Sequence, residues 1–586
     1  MSSIRNWSLA AILALGVSQP VPALANEPAT TEKVDTSAPA VEAIAAPLLT
    51  LVRQRIGDSG NRGVDAQDRA ALTAFYADAN RTLLWVNEAG LTPRARTAIT
   101  EIRSAADWGL NATSFETPDP QLVAKTPEAL AAAEVRLSLA VLKYARHARG
   151  GRIDVSLLGR NFDQKPPLLE SKIVIEGIAA ALDADAYLRG LHPKHPQFEK
   201  LRQALLAARK PAAVEPAKAP GADVKLPAGP RITAGQSHAQ VAMLRQRLNI
   251  ENGETANNLG DGLATALREF QQSKGIEPTG NLDNITRSAL NGAAKSVSAA
   301  DNSQRILVNM ERWRWLPENL GEFHVWDNIP EYRMRVLKDG KVVHAETIIV
   351  GKPNTPTPVF SADMKYVIFH PTWGVPDGIK VNEIAPSLRR STGGGGFFNF
   401  GESAEPAILR RHNLKVSYNG RPIDPSTVNW STADIRNYQF TQPAGGSNVL
   451  GVVKFRFPNK HDVYMHDTPE RSLFSRAEKA FSHGCMRVQN PRRLAEVLLA
   501  EDKGWTSAQV GHAIASGATQ DVTLTKQIPV HITYFTAMVE DDGRLKTFSD
   551  LYGHDSRIAS ALEGKSVKLI AQTDPAVRAE REVQRR

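Results

Sequence analysis

Residues 464–490 read YMHDTPERSLFSRAEKAFSHGCMRVQN. The stretch holds Cys485, the only cysteine of the chain, inside Ser482-His483-Gly484-Cys485, with fifteen residues between His466 and Ser482. A thiolate is a strong nucleophile, and a nearby imidazole generates it by taking the thiol proton. A lone cysteine is more often a buried apolar side chain than a reactive one. The His, Gly, Arg and Asn crowded around this one point instead to acyl transfer. Strand-like segments flank the stretch at 452–457 and 463–465, so the thiol belongs to a β domain and not to a helical core.

Outward from the stretch, period-two alternation begins at about residue 303 and continues to about 553. Tyr332-Arg333-Met334-Arg335-Val336 alternates, Asp339-Gly340 is a hairpin turn, and strand character resumes at Val342-Val343 and over 347–350. Further strands are expected over 366–369 and 530–534. Alternation fails between about 380 and 440, where a Gly-rich turn occupies 393–396. That length is too great for a connection in a compact domain, so an inserted lid subdomain is expected there.

The amino-terminal half reads differently. A chain of 586 residues is too long for one core. Residues 1–25 have a basic start (Arg5), a short apolar core (9–17) and an Ala23-Leu24-Ala25 cleavage signal, which together form a signal peptide. The apolar run is about half of the ~20 residues a membrane span needs. Residues 26–45 are a flexible lead, 46–207 a helical scaffold, and 208–232 a Pro/Ala linker. In the scaffold, Thr92-Pro93 opens one helix that Gly109 closes, and Thr126-Pro127-Glu128 opens a longer one that stops at Gly150-Gly151. Residues 233–295 form a three-helix unit, striped by Val241, Leu244 and Leu248 and by Ala266, Leu267 and Phe270. Trp313 and Trp315 are expected to pack at the edge of the β domain. A tail over 554–586 ends in AVRAEREVQRR and reads as solvated. The fold class is therefore multidomain α+β. The net charge of +9 is dispersed, and no nucleic-acid module stands out.

H-x15-S-H-G-C-x-R-x-x-N is a specific pattern. With Val350-Gly351-Lys352-Pro353, Pro371-Thr372-Trp373-Gly374-Val375-Pro376, Asn448-Val449-Leu450-Gly451 and Phe457-Pro458-Asn459-Lys460, it resembles the YkuD-type catalytic domain of large periplasmic L,D-transpeptidases. The unit at 233–295 resembles their peptidoglycan-binding-like module. The resemblance implies a thioester on Cys485 and 3→3 crosslinking of peptidoglycan stems, with other acceptors (a protein amine, a free D-amino acid, water) as alternatives. It places the base on His466, oriented by a backbone carbonyl. His483, two residues from Cys485, would share its face on a strand and tune the thiolate. Gly484 clears a path for substrate, amides near Gly484 and Cys485 are oxyanion donors, and the Tyr464 hydroxyl joins them. Arg487 either holds a substrate carboxylate or sits in a structural ion pair. Trp373 and Asn448 either line the donor groove or serve packing and a turn. Ser482 and Asn490 complete the expected substrate-binding set.

No cofactor is expected. A zinc peptidase built on His466, His483 and Cys485 lacks a second Cys, an H-E-x-x-H and an acidic partner at ligand spacing. A wall-binding protein without catalysis is the other rival. The expected partners are peptidoglycan stems and glycan, with other wall-synthesis proteins. The expected compartment is the periplasm, with no membrane span in the mature chain.

Overall fold

The computed structural model describes residues 42–58, 65–78, 81–209, 224–250, 256–273, 278–291, 299–392 and 407–565. The signal peptide, most of the lead and linker, the turn at 393–396 and the end of the tail lie outside them. A helical amino-terminal region, a small helical module and a mostly β carboxy-terminal domain follow one another along the chain.

The β domain is built on ten strands: β1 (Phe162–Asp163), β2 (Phe323–Asn328), β3 (Arg333–Lys338), β4 (Lys341–Gly351), β5 (Val359–Phe369), β6 (Val453–Arg456), β7 (Met465–His466), β8 (Ala480–Ser482), β9 (Met486–Val488) and β10 (Gln520–Thr533). Eight pair in a closed circuit, β5-β6-β7-β9-β4-β3-β2-β10, with β10 returning to β5. Closure leaves these strands no free edge. β8 extends β4, and β1, contributed by the scaffold, lies parallel to β5. Asp339 and Gly340 both take positive φ (50° and 74°), the geometry a two-residue hairpin between β3 and β4 requires.

Side chains alternate across each strand. Val453 and Phe455 of β6, Met465 of β7, and Met486 and Val488 of β9 point inward to a core shared with Val325, Met334, Ile348 and Ile532. Helix Pro491–Lys503 covers it with Leu494, Leu498 and Leu499. The intervening strand residues Lys454, His466 and Arg487 are thereby turned to the other face.

The inserted lid starts earlier than expected. A separate four-stranded sheet has the order Arg421–Pro422, Lys415–Tyr418, Tyr438–Gln442, Trp373–Gly374. Its own core contains Leu388, Leu409, Trp430 and Phe440.

In the scaffold, Thr92 and Thr126 cap their helices through side-chain oxygens that accept from Ala95 and Ala129. The long helix Pro127–Gly150 carries a buried carboxylate, Glu134, that accepts from the Tyr76 hydroxyl and the amides of Leu84, Trp85 and Val86. Those four donors offset burial only in part, and burial still raises the carboxyl to about 7. The three-helix unit (Gln240–Arg247, Asp261–Ser273, Asn284–Leu290) closes around Val241, Leu244, Leu263, Leu267 and Leu282. Leu226 and Ile232, read as linker, belong to that core.

Two boundaries differ from the sequence reading. The β region does not begin at 303, because Ala299–Trp313 is a helix. Its Ile306, Met310 and Trp313 follow helical spacing and pack on Phe198, Leu201 and Leu205 of the scaffold helix Pro196–Arg209. The tail is not solvated from its start. Helix His554–Leu562 buries Ile558 and Ala559 against Val155, Leu158, Phe162 and Trp315. Scaffold and β domain thus share apolar cores, with Trp313 and Trp315 buried between them.

Candidate active site

β7 and β9 run parallel, with Met465 opposite Met486 and His466 opposite Arg487. One step back, the Met486 amide donates to the Tyr464 carbonyl (3.1 Å), which brings Tyr464 beside Cys485. β6 runs antiparallel on the other side of β7 and puts Lys454 opposite His466. Five polar side chains from three strands and one turn therefore share the outward face.

Cys485 is not on a strand. β8 ends at Ser482 and β9 begins at Met486, so His483-Gly484-Cys485 form the turn between them. The expectation that His483 and Cys485 share a strand face is corrected accordingly. The buried Ser482 hydroxyl donates to the Cys485 carbonyl (2.5 Å) and accepts from the Gly484 amide (3.3 Å). Gly484 has φ +113°, a left-handed conformation that favours glycine, and an added Cβ there would meet nothing closer than 3.7 Å. The backbone conformation alone therefore asks for glycine here. Around the turn, Thr357 Oγ1 donates to the Gly484 carbonyl (2.8 Å) and accepts from the Gly351 amide (2.9 Å). Thr355 Oγ1 and the Lys352 amide both donate to the Ser482 carbonyl. The end of β4 and the loop after it hold the cysteine turn in place.

The thiol is half-buried, and burial is the main influence pushing it up to about 11. The Asp462 carboxylate pushes the same way, while Lys454 and hydrogen bonds from the Tyr464 amide and hydroxyl oppose it. His466 is buried and is driven down to about 3, first by burial and then by the Arg487 and Lys454 charges. Its Nδ1 lies 2.5 Å from the Asp467 carbonyl, which fixes the proton on Nδ1 and leaves the Nε2 lone pair as the basic atom. Asp467 is itself anchored by Arg471, the Thr468 amide and the Val452 amide. At rest, burial thus favours the neutral form of the thiol and of the imidazole alike. Tyr464 is buried, with its ring 5.7 Å from that of His466, and Lys454 Nζ lies 3.8 Å from its ring centre. The Trp373 indole and the Cys485 thiol both act on its hydroxyl, so the lid reaches the site through Trp373.

The remaining expected residues divide. His483 is exposed, and its Nε2 lies 2.5 Å from Oε1 of Glu383, a lid residue in a π-helical turn. Arg487 pairs with the exposed Glu470 at 2.5 Å, the ion-pair alternative of the sequence reading. Asn448 is fully buried and spends its amide on the carbonyls of Pro371 and Pro443 and the Leu450 amide, clamping the neck of the lid. It has no atom left for a ligand, which corrects its place among the substrate-binding residues. Asn490 donates to Glu346 (2.9 Å) and lines an open cleft of about 850 Å³ with Val452, Arg471, Phe474 and Arg493. Cys485 does not line that cleft. The Gly484 amide is engaged inside the turn, whereas the Cys485 amide has no partner among the described residues.

Sequence reasoning missed Lys454, Thr357 and Glu383 as site residues. For Lys454 the signal was present: Val453-Lys454-Phe455-Arg456 alternates, so a cation must face out beside β7. Among the described residues no group of three or more His, Cys, Asp or Glu is placed to hold a metal ion.

Comparison with known proteins agrees with this geometry. Residues 322–519 match the YkuD family, described as an L,D-transpeptidase catalytic domain. Residues 237–290 match the family described as "Putative peptidoglycan binding domain", and 70–205 match a scaffold domain. Residues 322–519 are thus similar to YkuD-type L,D-transpeptidase catalytic domains, and the preceding 237–290 to peptidoglycan-binding-type modules. Among individual proteins, it is 30% identical over 259 residues to a Haemophilus influenzae protein named "Putative L,D-transpeptidase", covering 44% of this chain and 49% of that one. The chain thus spans about half the length of this curated relative. Solved structures also match, two of them as follows. One is an L,D-transpeptidase from Xylanimonas cellulosilytica (13% identity, 52% of this chain, 99% of that one, TM-score 0.15). The other is an avibactam carbamoyl enzyme (14% identity, 37% of this chain, 51% of that one, TM-score 0.14). Neither superposition is close enough to carry weight.

Proposed function

We propose that the chain is an L,D-transpeptidase that forms 3→3 peptidoglycan crosslinks through a thioester on Cys485. The observation that carries this reading is the pairing of β7 with β9, which gathers Tyr464, His466, Cys485 and Arg487 on one face. In this reading the Cys485 sulfur attacks the carbonyl carbon of the donor stem, and its proton passes to His466 Nε2. Because burial favours the neutral form of both groups, proton transfer accompanies the attack and does not precede it. The oxyanion takes hydrogen bonds from the Cys485 amide and the Tyr464 hydroxyl. Collapse breaks the carbon–nitrogen bond, and the imidazolium returns its proton to the departing D-amino acid. The side-chain amine of a second stem then attacks the thioester, and the carbon–sulfur bond breaks. The amine proton passes through His466 back to sulfur.

Arg487 would exchange Glu470 for a carboxylate of the stem, Trp373 would line the donor groove from the lid, and His483 would tune the site while tethered to Glu383. The module at 237–290 would hold the enzyme on the wall polymer. The leader at 1–25 is taken as an export signal to the periplasm. No helix among the described residues is long and apolar enough to cross a membrane.

Incubation with tetrapeptide muropeptides, with products resolved by mass, tests this function. The expected product is a dimer that has lost one terminal D-amino acid. Hydrolysed tripeptide alone would mean water is the acceptor, and unchanged substrate would favour a wall-binding protein without catalysis.

A further inference from the structure

Lys454 is a cation at the site for which the proposed chemistry has no task. It sits on β6 directly opposite His466, between the inward-facing Val453 and Phe455, so the alternation of the strand fixes its direction. Its ammonium lies over the Tyr464 ring, 3.8 Å from the centre. Tyr464 lies beside Cys485, its hydroxyl and the thiol each acting on the other, while Cys485 Sγ is 3.8 Å from the Asp462 carbonyl.

We propose that Lys454 is a positioning residue that supports the developing Cys485 thiolate through Tyr464. A cation over the face of a phenol draws electron density from the ring, which strengthens the hydroxyl as a donor to a negative sulfur. The same ammonium disfavours a second positive charge on His466, so it helps keep that ring unprotonated in the resting enzyme. The other charged and titratable groups around Cys485 do not duplicate this. Asp462 opposes a thiolate, Arg487 is paired with Glu470, and His483 is held by Glu383. Burial holds Lys454 below its ordinary value, and the Cys485 thiolate and the Asp462 carboxylate pull the other way.

The inference rests on Cys485 being the nucleophile but not on which acceptor is used. Because Cys485 is the only cysteine, alkylation by iodoacetamide reads this thiol alone and needs no peptidoglycan. Below the thiol pKa the rate is proportional to the thiolate fraction, so a ratio of rates measures a shift in acidity. In the full chain, Lys454→Met is expected to slow alkylation about tenfold across pH 7–9, the lower end of what a nearby opposite charge does. Lys454→Arg should restore the rate to within about threefold, and Arg456→Met, two residues along the strand, should leave it unchanged. In a Tyr464→Phe background the Lys454→Met effect should shrink to less than twofold. An undiminished tenfold effect there would overturn the route through Tyr464, and equal rates for wild type and Lys454→Met would overturn the proposal. Muropeptide turnover is measured separately, so loss of the transpeptidase reading would leave this result intact.

Discussion

The resting state of the Cys485–His466 pair gives the sharpest test of the site's electrostatics. Burial pushes the thiol up to about 11 and the imidazole down to about 3. A thiol at about 11 is ionised in only about one molecule in 10⁴ at pH 7, and the depressed imidazole carries no charge that would hold a thiolate at rest. The perturbation is pH alone. Alkylation of Cys485 by iodoacetamide should climb close to tenfold per pH unit from pH 6 to pH 10, with no plateau near neutrality. A preformed ion pair, as in cysteine enzymes whose thiolate is stabilised at rest, would instead give a rate that levels off below pH 7. That plateau would refute the burial argument and with it the claim that proton transfer and attack occur together.

Other outcomes follow from particular contacts. His466→Ala should lower acylation by donor stems about 10²–10⁴-fold, while His483→Ala should cost far less; the reverse order, read by the rate of D-amino acid release, would reassign the base. Thr357→Val keeps shape but leaves the buried Gly484 carbonyl and Gly351 amide unpaired. It should cost about 2–4 kcal/mol in urea unfolding and slow alkylation as the turn loosens, and a change under 0.5 kcal/mol would show that the turn is held elsewhere. Among the histidines depressed by burial, His466 falls to about 3 and His147, His195 and His531 to about 4. Their native forms bind fewer protons than the unfolded chain, so the stability they confer is complete above pH ~6.5 and is lost as pH falls toward 4. His531 alone accounts for roughly 3 kcal/mol of that loss, and His531→Gln should flatten the decline of the urea midpoint between pH 6.5 and 4.5.

Much of this was readable along the chain because it is local. Helix caps at Thr92 and Thr126 and the Asp339-Gly340 hairpin depend on neighbours within a few residues. The chemistry of Cys485 is written in the four residues around it and one histidine at fixed distance. What escaped is long-range. The pairing of β6 with β5 that closes the barrel joins strands about ninety residues apart, and β1 comes from another region of the chain. Helix Ala299–Trp313 was hidden because strand signals follow it closely and its apolar face is completed by a scaffold helix a hundred residues earlier. Asn448 looked like a groove residue because side-chain amides serve ligands and backbone clamps equally well. Only its three partners decide between the two. Lys454 was masked by its alternating neighbours, and its meaning appears only when β6 lies on β7.

The central claim is that Cys485 carries the donor stem as a thioester, with His466 as its base. It is tested most directly by mixing the protein with a tetrapeptide donor in the absence of acceptor, quenching in acid, and measuring intact mass. The account predicts an adduct equal to the donor minus its terminal D-amino acid and minus the thiol hydrogen, mapped to Cys485 and absent in Cys485→Ala. An adduct that persists in Cys485→Ala, or crosslinked product formed by that variant, would contradict it.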